Sequence, residues 1–424
     1  MQDPELAVVY SAIEVFYSGQ NNSQAATWLD DFQKSILAWT ACDRILGERK
    51  NPVASYFAAQ TLRQKILKNL KEVPRESLES LRDSIINHLT HLHVVDQSSE
   101  ATATQLCLAV VDLYIQVPEW IGFIATMLNK FNGLEGDRTK MLLTLLKVFP
   151  EEVEHSSIGE NRRKAVREEL AINGDSILAY LASVLSSALS KEHHDEDIVK
   201  KVVQCLSTFL QNPNVHTDRL AQSDLFAVVF SILASPFVSV NLHDAATECV
   251  VSGLVRVEDI HAHRALAVVL HQASFKLQTA WNEAVSKEQL DRLSNFTRIF
   301  VELCESLIEP VVNQNKEAAP LHELNIFELL LLIANHFDYS LIEMTFNVWY
   351  RISEALFMID DDDHIALFKP FVRRYLVALV RHSRYDSDEV GLPDQHSDFG
   401  DFRFKVEWVL SVFIVNIFFG FEKL

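Results

Sequence analysis

The chain has 424 residues, 48% of them hydrophobic, and only 11 are glycine, so length and composition allow a large buried core. Its formal net charge of −20 should repel nucleic acid and favour basic protein partners. Five cysteines (Cys42, Cys107, Cys205, Cys249 and Cys304) are odd in number, scattered, and form no CxxC or zinc spacing. They read as reduced, buried thiols of a cytosolic or nuclear chain.

The N-terminal MQDPELAVVY has neither the basic start nor the apolar centre of a secretory signal. A first helix is expected over 5–18, then a turn at Gly19-Gln20-Asn21-Asn22. Its partner over 23–46 places Trp28, Phe32, Ile36 and Trp39 on one stripe, with Asp30 and Lys34 pointing the opposite way.

The segment 51–92 sets the pattern for the rest. Asn51 is a good N-cap and Pro52 sits at the first helical position, where its missing N–H costs nothing. Ala59, Leu62, Ile66 and Leu70 make one apolar stripe; Val73-Pro74 ends that helix; Leu78, Leu81, Ile85, Leu89 and Leu92 make a second stripe. Ser80, Asp83 and Asn87 face away from that second stripe. Neither helix buries its stripe alone, so the pair reads as one unit of a helical solenoid.

Similar pairs follow. In the third, Ala103, Cys107, Val110, Tyr114 and Val117 stripe a helix ended by Pro118, and EWIGFIATMLNKF makes its partner. The fourth pair is 137–149 with 161–190, separated by the acidic connector 150–154; the fifth is 195–211 with 217–234, turning at Pro213. The sixth is 239–255 (Leu242, Ala246, Cys249 and Gly253 in its stripe) with 259–285; the seventh is 286–309 with 321–335, the loop bounded by Pro310 and Pro320. The eighth is 338–357 with 363–384, where Pro370 should kink the second helix. After a loop over 385–397 a last helix starts near Asp398. The expected fold is all-α: about nine helix pairs in one continuous right-handed superhelical stack, the last pair incomplete, with no linker marking a domain boundary.

No phosphate-binding loop, HExxH, GxSxG or protein-kinase signature is present. Among the histidine clusters (His88, His91 and His93; His193 and His194; His261 and His263) only His88–His91 has helical ligand spacing, and no third ligand pairs with it, so these read as exposed or turn histidines. Asp360 to Asp363 lack the glycine and terminal glutamate of a calcium loop; they read as a turn with Asp363 near an N-cap. The loop at 385–401 carries Asp386, Asp388, Glu389, Asp394, Asp398 and Asp401, either a solvated loop or a docking site for a basic surface. Basic residues gather at Arg162, Arg163, Lys164 and Arg167 and at Arg373, Arg374, Arg381 and Arg384. They read first as solvated helix flanks, although Arg374 and Arg381 share a face suited to a phosphate or an acidic segment. Trp408 to Phe421 is strongly apolar but too short to span a bilayer.

Beyond these patterns, YFAAQTLRQKI (56–66), SLRDSI (80–85), PEEV (150–153), NLHDAATECV (241–250), RIFVELCESLIE (298–309), FNVWYRISEALF (346–357) and DFGDFRFKV (398–406) resemble the importin-β superfamily, nearest its transportin-SR branch. The likeness runs in order from about residue 7 to about 407. It implies importin-β N-terminal-like repeats over 1–92, further HEAT repeats over 93–407, and a divergent apolar end over 408–424. It also implies a karyopherin that shuttles between cytoplasm and nucleus, contacts nuclear pore proteins and is regulated by Ran–GTP. The cargo of that branch is serine/arginine-rich splicing factors, whose main site lies in a C-terminal half that this chain does not reach. No catalytic residue, metal or cofactor is implied, and no direct nucleic-acid or membrane contact.

The family's Ran–GTP site sits on the second helices of the first repeats, here 23–46, 74–92 and 118–131. The exposed-face residues Asp30, Lys34, Ser80, Asp83 and Asn87 are therefore the expected contacts, with Asp386, Asp388, Glu389, Asp394 and Asp398 as a second one. After Val406 the likeness fades, and the apolar run that follows suggests a truncated or alternatively terminated product that self-associates. A HEAT-repeat scaffold or regulatory subunit, and an exportin-like carrier, remain the other readings.

Overall fold

Asn51 caps its helix as expected, its Oδ1 accepting from the amides of Val53 (2.9 Å) and Ala54 (3.3 Å), with Pro52 in the first turn. The computed structural model describes residues 4–18, 23–92, 97–131, 137–190, 195–211, 217–359, 361–385 and 397–413. They divide into two compact units, Met1–Val215 and His216–Leu424, and the described residues contain helices and no strand.

The first unit holds α1 (Pro4–Tyr17), α2 (Ser23–Lys34), α3 (Leu37–Glu48), α4 (Pro52–Asn69), α5 (Leu78–His91), α6 (Gln97–Gln116), α7 (Phe123–Phe131), α8 (Asp137–His155), α9 (Glu160–Leu189) and α10 (Glu196–Gln211). First helices stack on first helices, α4 on α6, α6 on α8 and α8 on α10, while α3, α5, α7 and α9 form the other layer. Between the layers lie Ala59, Leu62, Ile66, Ile85, Leu89, Cys107, Val110 and Tyr114, all buried. Each large apolar side chain here contributes about 1.5–3 kcal/mol on burial. Alanines at 54, 58 and 59 of α4, none of them exposed, leave the narrow spacing that lets α6 lie close. This is HEAT-repeat packing.

The second unit repeats the plan with α11 (Thr217–Gln222), α12 (Leu225–Ala234), α13 (Val240–Arg256), α14 (Ile260–Lys276), α15 (Gln278–Ser286), α16 (Leu290–Ser306), α17 (Ile308–Val312), α18 (Phe327–Ala334), α19 (Tyr339–Glu343), α20 (Phe346–Phe357), α21 (Asp362–Ala366), α22 (Lys369–His382) and α23 (Asp398–Phe413). Here α13, α16, α20 and α23 stack in one layer, with α14 and α15, α18 and α22 in the other. Trp281, Phe300, Trp349, Phe368 and Tyr375 fill the space between.

Several expected helices are broken or extended. The one expected over 23–46 stops at Lys34 and restarts at Leu37, which leaves Ile36 of the expected stripe 66% exposed. The break is held from α4. Lys65, 1% exposed, directs its Nζ to the Ser35 carbonyl (3.0 Å) and to Glu72 (2.5 Å), and Glu72 also accepts from Trp39 Nε1 (3.0 Å). A cation on the last carbonyls of α2 satisfies that helix end in place of further turns. Conversely, α8 runs through Pro150 to His155, where a connector was expected. Arg163 of α9 donates to the carbonyls of Val153, Glu154 (2.7 Å each) and Ser156 (3.0 Å), which satisfies the carbonyl end of the extended α8.

In the second unit 217–234, 259–285, 286–309, 338–357 and 363–384 are each two helices. Pro370 begins α22 instead of kinking a longer helix, Pro310 lies inside α17, and the N-cap of α21 is Asp361, not Asp363. By length and apolar composition alone α9 would also suit a membrane span. Its buried stripe (Val166, Leu170, Ile177, Leu181, Leu185) makes it a core helix that packs on α7, α8 and α10. The turns expected at 19–22 and Pro213, His93, His193 and His194, and the apolar run beyond Phe413 fall outside the described residues.

Candidate partner interface

The exposed side of α5 is set by its two buried isoleucines and Leu89: with Ile85, Ile86 and Leu89 turned inward, Ser80, Asp83 and Asn87 are left in solvent. Asp30 and Lys34 are exposed on α2 and paired with each other at 2.5 Å, one turn apart. All five expected contacts of the first unit are therefore accessible.

Between α5 and α7 lies a groove of about 340 Å³, lined by Arg82, Asp83, Ile86, Trp120, Met127 and Lys130 among others. Of the five expected contacts only Asp83 lines it. Arg82 lies over the Trp120 ring, 5.0 Å from its centroid, and donates to Asp83 at 2.9 Å. Ile121, on the same turn as Trp120, is 83% exposed. A stacked guanidinium, an open apolar side chain and a free-standing lysine on one rim can take both the charged and the apolar parts of a protein partner. Arg82, Trp120, Ile121 and Lys130 were not singled out in the sequence. The only available signal was EWIG, two large apolar residues placed in a turn just before a glycine.

In the second unit Asp398 is exposed at the start of α23, beside a hollow of about 460 Å³ that also takes in Asp338, Tyr339, Glu343, Asp401 and Lys405. Lys405 neutralises Glu343 at 2.6 Å. Asp386, Asp388, Glu389 and Asp394 lie outside the described residues.

The remaining polar clusters tie helices together. Ser84 Oγ (2.5 Å) and His88 Nε2 (2.8 Å) converge on the same oxygen of Asp43, joining α5 to α3. These bonds pull the Asp43 pKa below the usual carboxylate range, His88 first and Ser84 after burial has worked the other way. His88 is thus a buried, bonded histidine and not the exposed one expected. Arg63 of α4 donates to Asp112 of α6 and Glu152 of α8 at 2.9 Å each, spanning three stacked helices. Burial of Asp112 raises its pKa despite the arginine.

In the basic run 162–167 Lys164 is solvated as expected, but the three arginines are not. Arg162 donates to the carbonyls of Tyr114, Ile115, Val117 and Trp120, Arg163 caps α8, and Arg167 forks onto Glu154. Arg374 forks onto Glu328 of α18 (2.5 and 2.8 Å) and so is engaged within the fold, not free for a phosphate. All five cysteines are buried, unbridged thiols, and burial pushes the Cys42 pKa up to about 12.

Three family patterns match the chain in order: importin-beta N-terminal domain over 25–91, exportin 1-like protein over 99–250, and transportin-3/importin-13 second TPR domain over 288–382. The chain is 22% identical over 428 residues to the mRNA transport regulator MTR10 of Saccharomyces cerevisiae, covering 97% of this chain and 42% of that protein. It is 23% identical over 385 residues to human importin-13 (87% and 38% covered). Against the Arabidopsis thaliana transportin MOS14 it is 24% identical over 411 residues (89% and 40%). The chain thus spans about two fifths of the length of these relatives. Among solved structures, importin-13 in a cytosolic state superposes with a TM-score of 0.66 at 17% identity, over 85% of this chain and 42% of that one, a likeness of fold.

Proposed function

Because the chain belongs to the importin-β superfamily, we propose that it is the Ran–GTP-binding portion of a transportin-type nuclear transport receptor that moves between cytoplasm and nucleus. The observation that carries this reading is the groove between α5 and α7. It lies on two of the second helices where the family resemblance puts Ran–GTP, and it is open, part apolar and part charged. Asp30 and Lys34 on α2, with Ser80, Asp83 and Asn87 on α5, are the further contacts of the proposal. Asp398, together with the acidic segment Asp386, Asp388, Glu389 and Asp394, is the second contact.

The net charge of −20 favours basic cargo, and serine/arginine-rich proteins are the cargo class that the transportin-SR resemblance names. Nuclear pore proteins are the remaining partners of the proposal. The chemistry is binding, with Ran–GTP ejecting cargo. The exportin 1-like match over 99–250 favours one second reading, an exportin-like carrier in which Ran–GTP strengthens cargo binding.

The test is binding of the purified chain to Ran loaded with a non-hydrolysable GTP analogue, with Ran–GDP as control. Selective binding to the GTP form is expected. Equal or absent binding, in a chain whose circular-dichroism melt is cooperative, overturns the proposal. Adding an arginine/serine-repeat peptide separates import from export by whether Ran–GTP releases or retains it.

A further inference from the structure

The turn that carries Trp120 and Ile121 is gripped at both ends by one helix. At its near end the carbonyls of Tyr114 and Ile115 lie in the last turn of α6 and that of Val117 just past it, Tyr114 O also accepting from Val117 N (3.3 Å) and Val117 O from Trp120 N (3.1 Å). Arg162 of α9 reaches them through Nη2 (2.7 Å to Tyr114, 3.2 Å to Val117) and Nε (3.1 Å to Ile115). Its Nη1 donates to the carbonyls of Pro118 (3.4 Å) and Trp120 (3.2 Å), and its guanidinium lies 4.9 Å over the Tyr114 ring. At the far end α7 starts with free amides. Glu169 of α9 accepts from Gly122 N (3.2 Å) and Ile124 N (3.0 Å), and the Tyr114 hydroxyl donates to the same carboxylate.

The cation thus meets the carbonyl end of one helix and the anion meets the amide end of the next, each matching the helix dipole it faces. Arg162 and Glu169 are seven positions apart, so both project from one side of α9. Gly122 has φ +72°, a left-handed conformation that closes the turn and that an L side chain resists.

We infer that Arg162 and Glu169 are positioning residues of the partner interface: they clamp the Val117–Gly122 turn so that Trp120 and Ile121 stand at the rim of the α5–α7 groove. Neither residue lines the groove, so each acts on the partner through the turn. The inference rests on the proposed Ran–GTP contact at that groove, and it adds the device that holds the contact in shape.

The test uses the full chain in a double-mutant cycle of Glu169→Ala with Trp120→Ala, read as affinity for Ran loaded with a GTP analogue. Hydrogen exchange at the amides of residues 122 and 124 is followed in parallel. Each single variant should weaken binding about tenfold, and the double variant should be little weaker than the worse single one, because both remove the same contact. Glu169→Gln, which keeps an acceptor oxygen for Ile124 N but turns a donor towards Gly122 N, should restore part of the affinity and the amide protection at 124 but not at 122.

If Glu169→Ala strips protection from 122 and 124 yet binds Ran as well as the parent while Trp120→Ala does not, the positioning role is overturned. Strictly additive losses overturn it too, since they mean that Glu169 acts elsewhere. If Trp120→Ala binds normally in a chain that still selects Ran–GTP, the groove is not the contact and the inference falls while the family function stands. Should Glu169→Ala fail to fold, Gly122→Ala perturbs the turn while keeping both clamp side chains and must give the same loss.

Discussion

Arg63 Nε donates to Asp112 Oδ2 across 2.9 Å, and the same guanidinium holds Glu152 at 2.9 Å, so one arginine ties α4, α6 and α8. Asp112 has a side chain only 1% exposed, and its second oxygen has no hydrogen-bond partner. That asymmetry makes the arginine hard to remove, because a buried carboxylate would lose its sole counter-charge. At pH 8, where Asp112 is ionised, Arg63→Met should destabilise the first unit by about 3–5 kcal/mol, and adding Asp112→Asn should recover most of the loss. A urea titration read by hydrogen exchange in α6 checks this; a loss below about 1 kcal/mol would put the arginine among ordinary surface pairs.

Between pH 7.5 and 5.5 the two units should respond in opposite ways. Burial, helped by the charge of Arg292, lowers His243 from 6.5 to about 4, and burial also lowers His271 and His336. These groups stay neutral in the folded chain while the unfolded chain takes up protons below 6.5. The second unit therefore loses stability as pH falls from 6.5 towards 4, by about 3 kcal/mol for His243 alone. Asp112 behaves in reverse. Its pKa is raised by burial from 3.8 to about 7, so its contribution is full below 3.8 and is lost as pH rises through 7. Between pH 7.5 and 5.5, exchange protection should rise in α6 and fall in α13; parallel changes in the two units would contradict these assignments.

Arginines that stitch neighbouring repeats in the second unit differ in weight by their exposure. Arg292, 8% exposed, donates to the carbonyls of Ser235 (2.7 Å) and Val238 (2.8 Å), whereas Arg351 meets Glu305 on an open surface. Arg292→Ala should cost about 2 kcal/mol because it orphans two backbone acceptors. Arg351→Ala should cost less than about 1 kcal/mol and lose even that in high salt. Thermal unfolding of the two variants at low and high ionic strength separates them.

The cysteines offer a direct probe of folding. All five are buried, and burial raises the thiol pKa of each. A thiol-reactive dye should label none of them within minutes at pH 7.5 in the native chain and all five in urea. Rapid native labelling of any one would mark a repeat that opens on its own.

What could be read from the sequence was local. The cap at Asn51, the stop at Val73-Pro74 and the buried stripe Ala103 to Val117 follow from residues within one or two turns of each other. The continuation of α8 through Pro150 and the break at Ser35-Ile36 do not. Each depends on a cation from another helix: Arg163 lies next along the chain, but Lys65 is thirty residues from Ser35. The run 162–167 looked like a solvated flank because its partners, carbonyls near residues 114–120 and 153–156, carry no residue-type signature. For the interface, exposure of Asp30, Lys34, Ser80, Asp83 and Asn87 was legible from helix periodicity. The groove was not, since it exists only where α5 and α7 meet.

Helix α9 is thirty residues long, about 45 Å at the rise of an α-helix. Its first turns grip the α6–α7 turn and its last turns pack on α10. Its buried stripe, Val166 to Ala188, runs between those ends. One continuous helix is thus shared by the turn at the groove rim and by the packing on α10, so the rim and the next repeat are built on the same rigid member.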